Sequence, residues 1–145
     1  MNVTAHHIGC AVKEFAASYA TYGSALGLTR RTRSFDVSRQ DVRVCFVELV
    51  NGFYLELITA LNEKAKLASF LKTGFYHLCF LVDDLNAARV QLREKKFYPL
   101  PEFQSEAFAG HRCQFFLTPE RHLIELAEMS SSDFQDFFRA NLEAS

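Results

Sequence analysis

The sequence predicts an α+β fold in which two tandem βαβββ modules pack as one domain, with curved sheets around a shared cavity. Three observations predict it. The order of predicted elements, one strand, one helix and three strands, starts again near residue 75. The two halves also align with each other at an offset of 69 or 70 residues. Finally, neither half alone could bury both its sheet and its helix, so the two must pack together.

The first module is predicted over about 5–59. A strand over 5–12 is followed by a helix over 14–27, whose apolar residues recur at spacings of three and four. Three further strands are predicted over 28–37, 42–50 and 53–59. Asn51 and Gly52 form an Asn-Gly pair between the last two strands, which indicates a tight hairpin turn.

A linker helix over about 60–74 leads to the second module, predicted over about 75–128. This module begins with a strand over 75–82 and a helix over 83–96, which Asp83 or Asp84 caps. Its remaining strands are predicted near 97–100 and over 111–118 and 121–128. A last amphipathic helix, over about 131–144, is predicted to pack on the domain or across a dimer seam.

Composition excludes several classes of function. The formal net charge of −1 argues against a nucleic-acid partner, which needs a basic excess. Apolar runs of 18 residues are absent, so no membrane span is predicted, and the start "MNVTAHHIGC" does not resemble a signal peptide. The four cysteines are far apart in the sequence and lie in apolar runs, a pattern that is typical of reduced thiols in a cytoplasmic protein. A small-molecule substrate is therefore the expected partner.

The repeat distinguishes between two adjacent histidines in "AHHIGCAV". Side chains alternate along a strand, so only one of His6 and His7 is expected to face inward. When "HHIGCAV" is laid over "YHLCFLV", His7 falls on His77, whereas His6 falls on Tyr76. The histidine that recurs is therefore His7, and His6 is left unassigned.

Two glutamates recur in the same way. Glu56 falls on Glu125, and each lies within an apolar strand about 49 residues after its histidine. A carboxylate there is costly to bury unless it is paired or bound to a cation. Two-fold packing would bring His7, Glu56, His77 and Glu125 together as ligands of Zn²⁺, Ni²⁺, Co²⁺ or Mn²⁺ in a shared metal cavity. The alternative is that these histidines are hydrogen-bonded core residues.

The segments "HHIGCAV", "YLELITALNE", "FYHLCFLVDDL" and "LIELAE" resemble the vicinal-oxygen-chelate superfamily, which includes glyoxalase I, methylmalonyl-CoA epimerase, extradiol dioxygenases and bleomycin-resistance proteins. The resemblance covers roughly residues 5–128. It implies paired βαβββ modules and the same four metal ligands. The stretch over 61–85 is most similar to methylmalonyl-CoA epimerase, whereas Glu56, where many epimerases have Gln, is the glyoxalase-like choice.

The sequence departs from the epimerase pattern at three places. Val44 stands near a position where some epimerases carry a second acid/base carboxylate, and Glu48 is the nearest replacement. The segments "SEAFAGHR" (105–112) and "TPERH" (118–122) differ from the Gly-rich and Lys-containing loops of those relatives. The resemblance therefore does not carry CoA binding over to this chain.

The expected function is that of a metal-dependent isomerase or lyase of the epimerase/glyoxalase type. Its substrate, a thioester or thiol adduct, would present two neighbouring oxygens to the metal. By the resemblance, Glu125 is the first choice for the catalytic base and Glu56 the second. Two alternatives stay open: an extradiol-type Fe(II) dioxygenase and a non-catalytic ligand-binding protein. A homodimer is also expected.

Overall fold

One curled sheet dominates the structure, a computed structural model that describes residues 1–63, 65 and 74–144. Within those residues the sheet has nine strands. They are β1 (Val3–Ala11), β2 (Phe35–Val37), β3 (Val42–Val50), β4 (Phe53–Ala60), β5 (Gly74–Val82), β6 (Tyr98–Pro99), β7 (Phe103–Ser105), β8 (His111–Leu117) and β9 (Leu123–Glu128). The predicted α+β class with a curved sheet is confirmed.

In the described residues, two short 3-10 helices span Ser38–Gln40 and Glu106–Phe108, and three longer helical segments pack on the sheet. Their bounds are α1 (Phe15–Ser18), which continues as a π-helix over Tyr19–Ala25, α2 (Leu85–Glu94) and α3 (Ser131–Ala140). The Asp84 carboxylate accepts a hydrogen bond from the backbone N–H of Ala87 at 3.0 Å. Of the two predicted caps for α2, Asp84 is therefore the one used.

The strand order is nearly symmetric about the central pair β1 and β5. The order is β2-β3-β4-β1-β5-β9-β8-β6, and β7 pairs with β8. β1 is parallel to β4, and β5 is parallel to β9. The two halves meet where β1 and β5 run antiparallel at the centre of the sheet. The register places Gly9 beside Glu56 and Cys79 beside Glu125, which are equivalent positions in the two copies.

The largest buried cluster is strongly aromatic. Phe134 and Phe138 of α3 lie against Phe46, Tyr54 and Phe108, with ring centroids between 4.8 and 5.4 Å apart for the contacting pairs that involve α3. Each of these rings is at most 1% exposed. The C-terminal helix therefore closes one side of the fold, as expected for packing on the domain itself.

The predicted strand over 28–37 is wrong for most of its length, because only Phe35–Val37 forms a strand. The reason lies at Thr32, whose backbone N–H donates to Phe46 O and whose hydroxyl accepts from Phe46 N–H, at 2.9 and 3.1 Å. The side chain thus replaces a backbone group in the ladder. The neighbouring Arg31 and Arg33 backbones bond instead to the C-terminal segment 141–143.

Other boundaries also differ. The short strand β7 was not predicted, and the last helix ends at Ala140 rather than near residue 144. Most of the predicted linker helix over about 60–74 lies outside the described residues, and Gly74 begins β5 rather than ending a helix. The module boundaries stay a prediction.

In the described part of the chain, no helix has the length and apolarity to span a membrane.

Replacing Phe134 with alanine is expected to lower the free energy of unfolding by about 3–5 kcal/mol, because a fully buried ring is lost from the aromatic cluster. Urea denaturation followed by circular dichroism measures the change. Phe75→Ala is the control, since Phe75 is 67% exposed and its removal should cost under about 0.5 kcal/mol. Equal effects of the two substitutions would contradict this account of the core.

Candidate metal centre

Four polar side chains meet at the centre of the sheet. The four adjacent strands β4, β1, β5 and β9 supply Glu56, His7, His77 and Glu125 in that order. All four residues are buried, with exposures between 0 and 6%. The structure thus brings together the four residues that the repeat singled out. Among the described residues they form a group of ligand atoms that all lie within 4.8 Å of one another.

The distances converge on one point. The two Nε2 atoms of His7 and His77 are 2.9 Å apart. His7 Nε2 lies 3.4 Å from Glu56 Oε1 and 3.3 Å from Glu125 Oε1. The corresponding distances from His77 Nε2 are 3.7 and 3.5 Å. Four ligands at zinc bond lengths of about 2.0–2.2 Å would lie roughly 3.3–3.6 Å apart in a tetrahedron, so the donor set is close to that size.

Hydrogen bonds among the four side chains cannot satisfy all of their polar atoms. A single N–H on His7 Nε2 can point at only one of its three neighbours. Glu125 Oε1 is fully buried and has no hydrogen-bond partner among the described residues, although it is 3.3 Å from His7 Nε2, a separation typical of an ion pair. Buried carboxylates need a compensating cation. Two imidazoles and two carboxylates around an orphaned oxygen fit a divalent ion such as Zn²⁺ or Mn²⁺.

The two carboxylates also control the charge on His7. Burial by itself would lower the pKa of His7, but the nearby carboxylates of Glu56 and Glu125 outweigh burial and raise that pKa to about 9. Burial would raise the pKa of Glu125, but the His7 and His77 imidazoles outweigh it, and the pKa of this carboxyl falls below its usual range. In the absence of metal, a proton on His7 takes the place of the cation.

The expectation that only one of the two adjacent histidines faces inward is wrong, because His6 and His7 are both buried. The register of β1 against β5 jumps from Ala5 opposite Phe80 to His7 opposite Cys79, so His6 is an extra, unpaired residue. A β-bulge of this kind breaks the alternation of side chains along a strand. As a result, His6 Nδ1 lies 2.8 Å from His7 Nδ1.

Gly9 is a part of the site that sequence reasoning missed. A Cβ atom at this position would overlap with the imidazole ring of His77, which lies directly over the β1 backbone. Glycine inside a strand often marks such a close approach. The signal was therefore present in "HHIGC", two residues after His7.

The cluster lies at the wall of a cavity of about 500 Å³. Glu56 and Glu125 both line it, as does Tyr76, and the other walls are mostly aliphatic and aromatic. Val44 is one of these apolar walls. Glu48, the candidate for an additional acid/base group, is not among the lining residues and instead pairs with Arg30 at 3.0 Å.

A second close group shares a member with the first. His6, His7 and Cys79 also bring ligand atoms within 4.8 Å of one another. The His6 Nδ1 atom is already paired with His7, and burial raises the pKa of the Cys79 thiol well above its usual value, which keeps it protonated. All four cysteines are buried and free. The His/Glu group is therefore the better candidate for a cation.

A sequence profile of the Glyoxalase/Bleomycin resistance protein/Dioxygenase superfamily matches residues 6–115. The chain belongs to this superfamily. Its members bind divalent metals, in agreement with the His/Glu group that the described residues contain.

Two curated relatives within this superfamily are epimerases. Ethylmalonyl-CoA/methylmalonyl-CoA epimerase of Cereibacter sphaeroides is 30% identical over 131 residues, which is 86% of this chain and 96% of that protein. Mitochondrial methylmalonyl-CoA epimerase of Homo sapiens is 32% identical over 101 residues. That match takes in 67% of this chain but only 56% of the human protein, so the chain spans little more than half the length of that relative.

Solved structures show the same fold. A hypothetical protein from Bacillus halodurans C-125 superposes with a TM-score of 0.78 at 21% identity, covering 90% of this chain and 96% of that one. Methylmalonyl-CoA epimerase from Mycobacterium tuberculosis gives a TM-score of 0.74 at 25% identity, covering 87% of each chain. A methylmalonyl-CoA epimerase in complex with methylmalonyl-CoA and NH4+ gives 0.73 at 22% identity, covering 88% of this chain and 94% of that one. One of these neighbours is therefore known in complex with a CoA ester.

Gly9→Ala is expected to weaken metal binding about 10–100-fold, the range typical of lost support for a ligand, because the new methyl group displaces the His77 ring. Titration of the metal-free protein with Zn²⁺ measures the change. Gly23→Ala is the matched control, since its new Cβ would come no nearer than 3.8 Å to its closest neighbour, Leu28 O. Unchanged zinc affinity in Gly9→Ala would contradict the placement of His77.

Metal binding is also expected to depend on pH. His7 of the metal-free protein keeps its extra proton up to a pKa of about 9, and the metal must displace it. The apparent zinc affinity should therefore rise by about tenfold per pH unit from pH 6.5 towards 9 and then level off. Calorimetry in two buffers of different ionisation enthalpy should show about one proton released at pH 7.5. An affinity that does not change over this range would contradict the assigned charge of His7.

Proposed function

We propose that the chain is a divalent-metal-dependent epimerase that acts on a small acyl thioester with two neighbouring oxygens, in the manner of the methylmalonyl-CoA epimerases. The observation that carries the proposal is the convergence of two imidazoles and two carboxylates at the wall of a largely apolar cavity. The Cereibacter sphaeroides relative, with 96% of its length matched, supports the epimerase class over the other activities of the superfamily.

In this proposal His7, Glu56, His77 and Glu125 hold the metal. When bound, the metal supplies Lewis-acid stabilisation to the negative charge that develops on the substrate oxygens as the neighbouring C–H bond breaks. The apolar walls contribute separately. They exclude water from the reacting carbon and strengthen the electrostatic interactions inside the cavity.

Glu125 is the proposed base. Its carboxylate lines the cavity in which a substrate would lie, and its Oε1 atom is the oxygen that faces His7 and His77. Glu56 lines the same cavity on the other side of the β1/β5 pair and is the second choice. Epimerisation requires the proton to return to the opposite face of the planar enolate, so a second group must donate it, and Glu56, from the other side of the β1/β5 pair, is the proposed donor.

The four-ligand set also bears on the dioxygenase alternative. Extradiol-type iron sites use two histidines and one carboxylate and leave positions open for O₂. Here a second carboxylate, Glu56, is as close to the imidazoles as Glu125 is. It would occupy a position that O₂ or substrate needs, which favours the epimerase.

Purified protein is expected to contain a tightly bound divalent metal and to catalyse exchange of the α-proton of methylmalonyl-CoA in D₂O, followed by NMR. Glu125→Gln should lower the exchange rate about 10²–10⁴-fold, because the base is lost while an amide oxygen stays in place. Glu48→Gln is the matched control and should keep the wild-type rate, since Glu48 pairs with Arg30 away from the cavity.

Three results would contradict the proposal. Full activity of Glu125→Gln with metal still bound would exclude Glu125 as the base. Bound iron with O₂ uptake on a catechol would identify a dioxygenase. Protein without any divalent metal would favour a ligand-binding role. The homodimer and the cytoplasmic location stay predictions from the sequence.

A further inference from the structure

We propose that His6 is a positioning residue that fixes the ring orientation and tautomer of His7, so that His7 Nε2 is presented to the metal. The inference rests on the proposed function, because it assigns a role in metal binding. It concerns a histidine that the internal repeat does not pair with another histidine. His6 holds no metal itself in this arrangement.

The first argument is the contact between the two rings. His6 Nδ1 and His7 Nδ1 lie 2.8 Å apart, so one of them must donate and the other accept. His7 Nε2 is the atom that faces His77, Glu56 and Glu125. If Nε2 keeps its lone pair for a metal, the ring proton of His7 lies on Nδ1 and is donated to His6. Partners of this kind fix the tautomer of metal-binding histidines in proteins generally.

The second argument is how firmly His6 is held. Its ring is 1% exposed and lies between aromatic side chains from four different elements. The nearest ring is that of Phe134, perpendicular to His6 with centroids 4.0 Å apart. Tyr54, Phe108 and Phe46 follow at 5.0, 5.2 and 5.8 Å. A ring so enclosed has little freedom to turn, and its Nδ1 stays aimed at His7.

A third argument is that His6 Nε2 is buried without a hydrogen-bond partner among the described residues. An unsatisfied buried nitrogen is costly. Phenylalanine would fill much the same aromatic environment without that cost. The hydrogen bond to His7 is therefore the property that distinguishes histidine from an apolar ring at this position.

In the second module the orientation of the metal-binding histidine is fixed in a different way. The repeat places Tyr76 where the first module has His6. His77 Nδ1 has no hydrogen-bond partner in the described residues, and the His77 ring is held by packing over Gly9 and against Phe115, with centroids 5.1 Å apart. His7 is thus oriented by a hydrogen bond and His77 by steric contact. Loss of the His6 acceptor should weaken His7 alone.

Two substitutions at His6 separate positioning from packing. His6→Phe keeps an aromatic ring but removes the acceptor, whereas His6→Asn keeps an acceptor oxygen near the position of Nδ1. Titration of metal-free protein with Co²⁺ is expected to give an about 10–100-fold weaker dissociation constant for His6→Phe and an altered visible absorption spectrum. His6→Asn is expected to restore the affinity to within about threefold of wild type. His122→Phe makes the same substitution at an exposed histidine outside the cluster and should leave cobalt affinity unchanged.

Thermal unfolding of each metal-free variant accompanies the titration. His6→Phe is expected to be at least as stable as His6→Asn, so weaker cobalt binding in His6→Phe cannot come from loss of fold. Wild-type cobalt affinity in His6→Phe, or equal weakening by both substitutions, would overturn the positioning role and leave the proposed function intact. Absence of cobalt binding to the wild-type protein would overturn both.

Discussion

The structure depends on the antiparallel pairing of β1 with β5, because this contact joins the two halves of the repeat and places their polar residues side by side. His7 and His77 come from these two strands, and the flanking parallel strands β4 and β9 add one carboxylate each. Neither half contains more than one histidine and one glutamate of the cluster. The proposed site for a divalent ion therefore requires both halves to be folded and paired, so metal binding would be coupled to folding.

The rest of the fold serves to keep this polar cluster enclosed. The aromatic cluster that includes Phe134 and Phe138 of α3 fills one side of the curled sheet, and rings of this cluster surround His6. The cavity with Glu56 and Glu125 in its wall lies next to the four polar residues. Burial makes each charge in the cluster expensive, so the imidazoles and carboxylates must satisfy one another or share a cation. The same burial would make a bound metal a strong Lewis acid, because little water competes for its charge.

The two modules are equivalent in sequence position but not in detail. Gly9 and Cys79 occupy matching places, and so do His6 and Tyr76, yet each pair differs in size and chemistry. The glycine admits the His77 ring, and the bulge at His6 adds a polar contact to His7.

The sequence by itself determined the fold class and the four residues of the cluster, because apolar periodicity and an internal repeat can both be recognised in the order of the amino acids alone. It did not determine that residues 28–34 form only an isolated bridge to β3, between Arg31 and Val47, since this depends on the Thr32 hydroxyl and on a C-terminal segment more than 100 residues away. Nor did it show that both adjacent histidines are buried. The bulge at His6 arises from the pairing of β1 with β5, and it changes the face of the strand towards which the His6 side chain points. Only the tertiary structure decides such a register, because strand pairing joins residues that are distant in sequence.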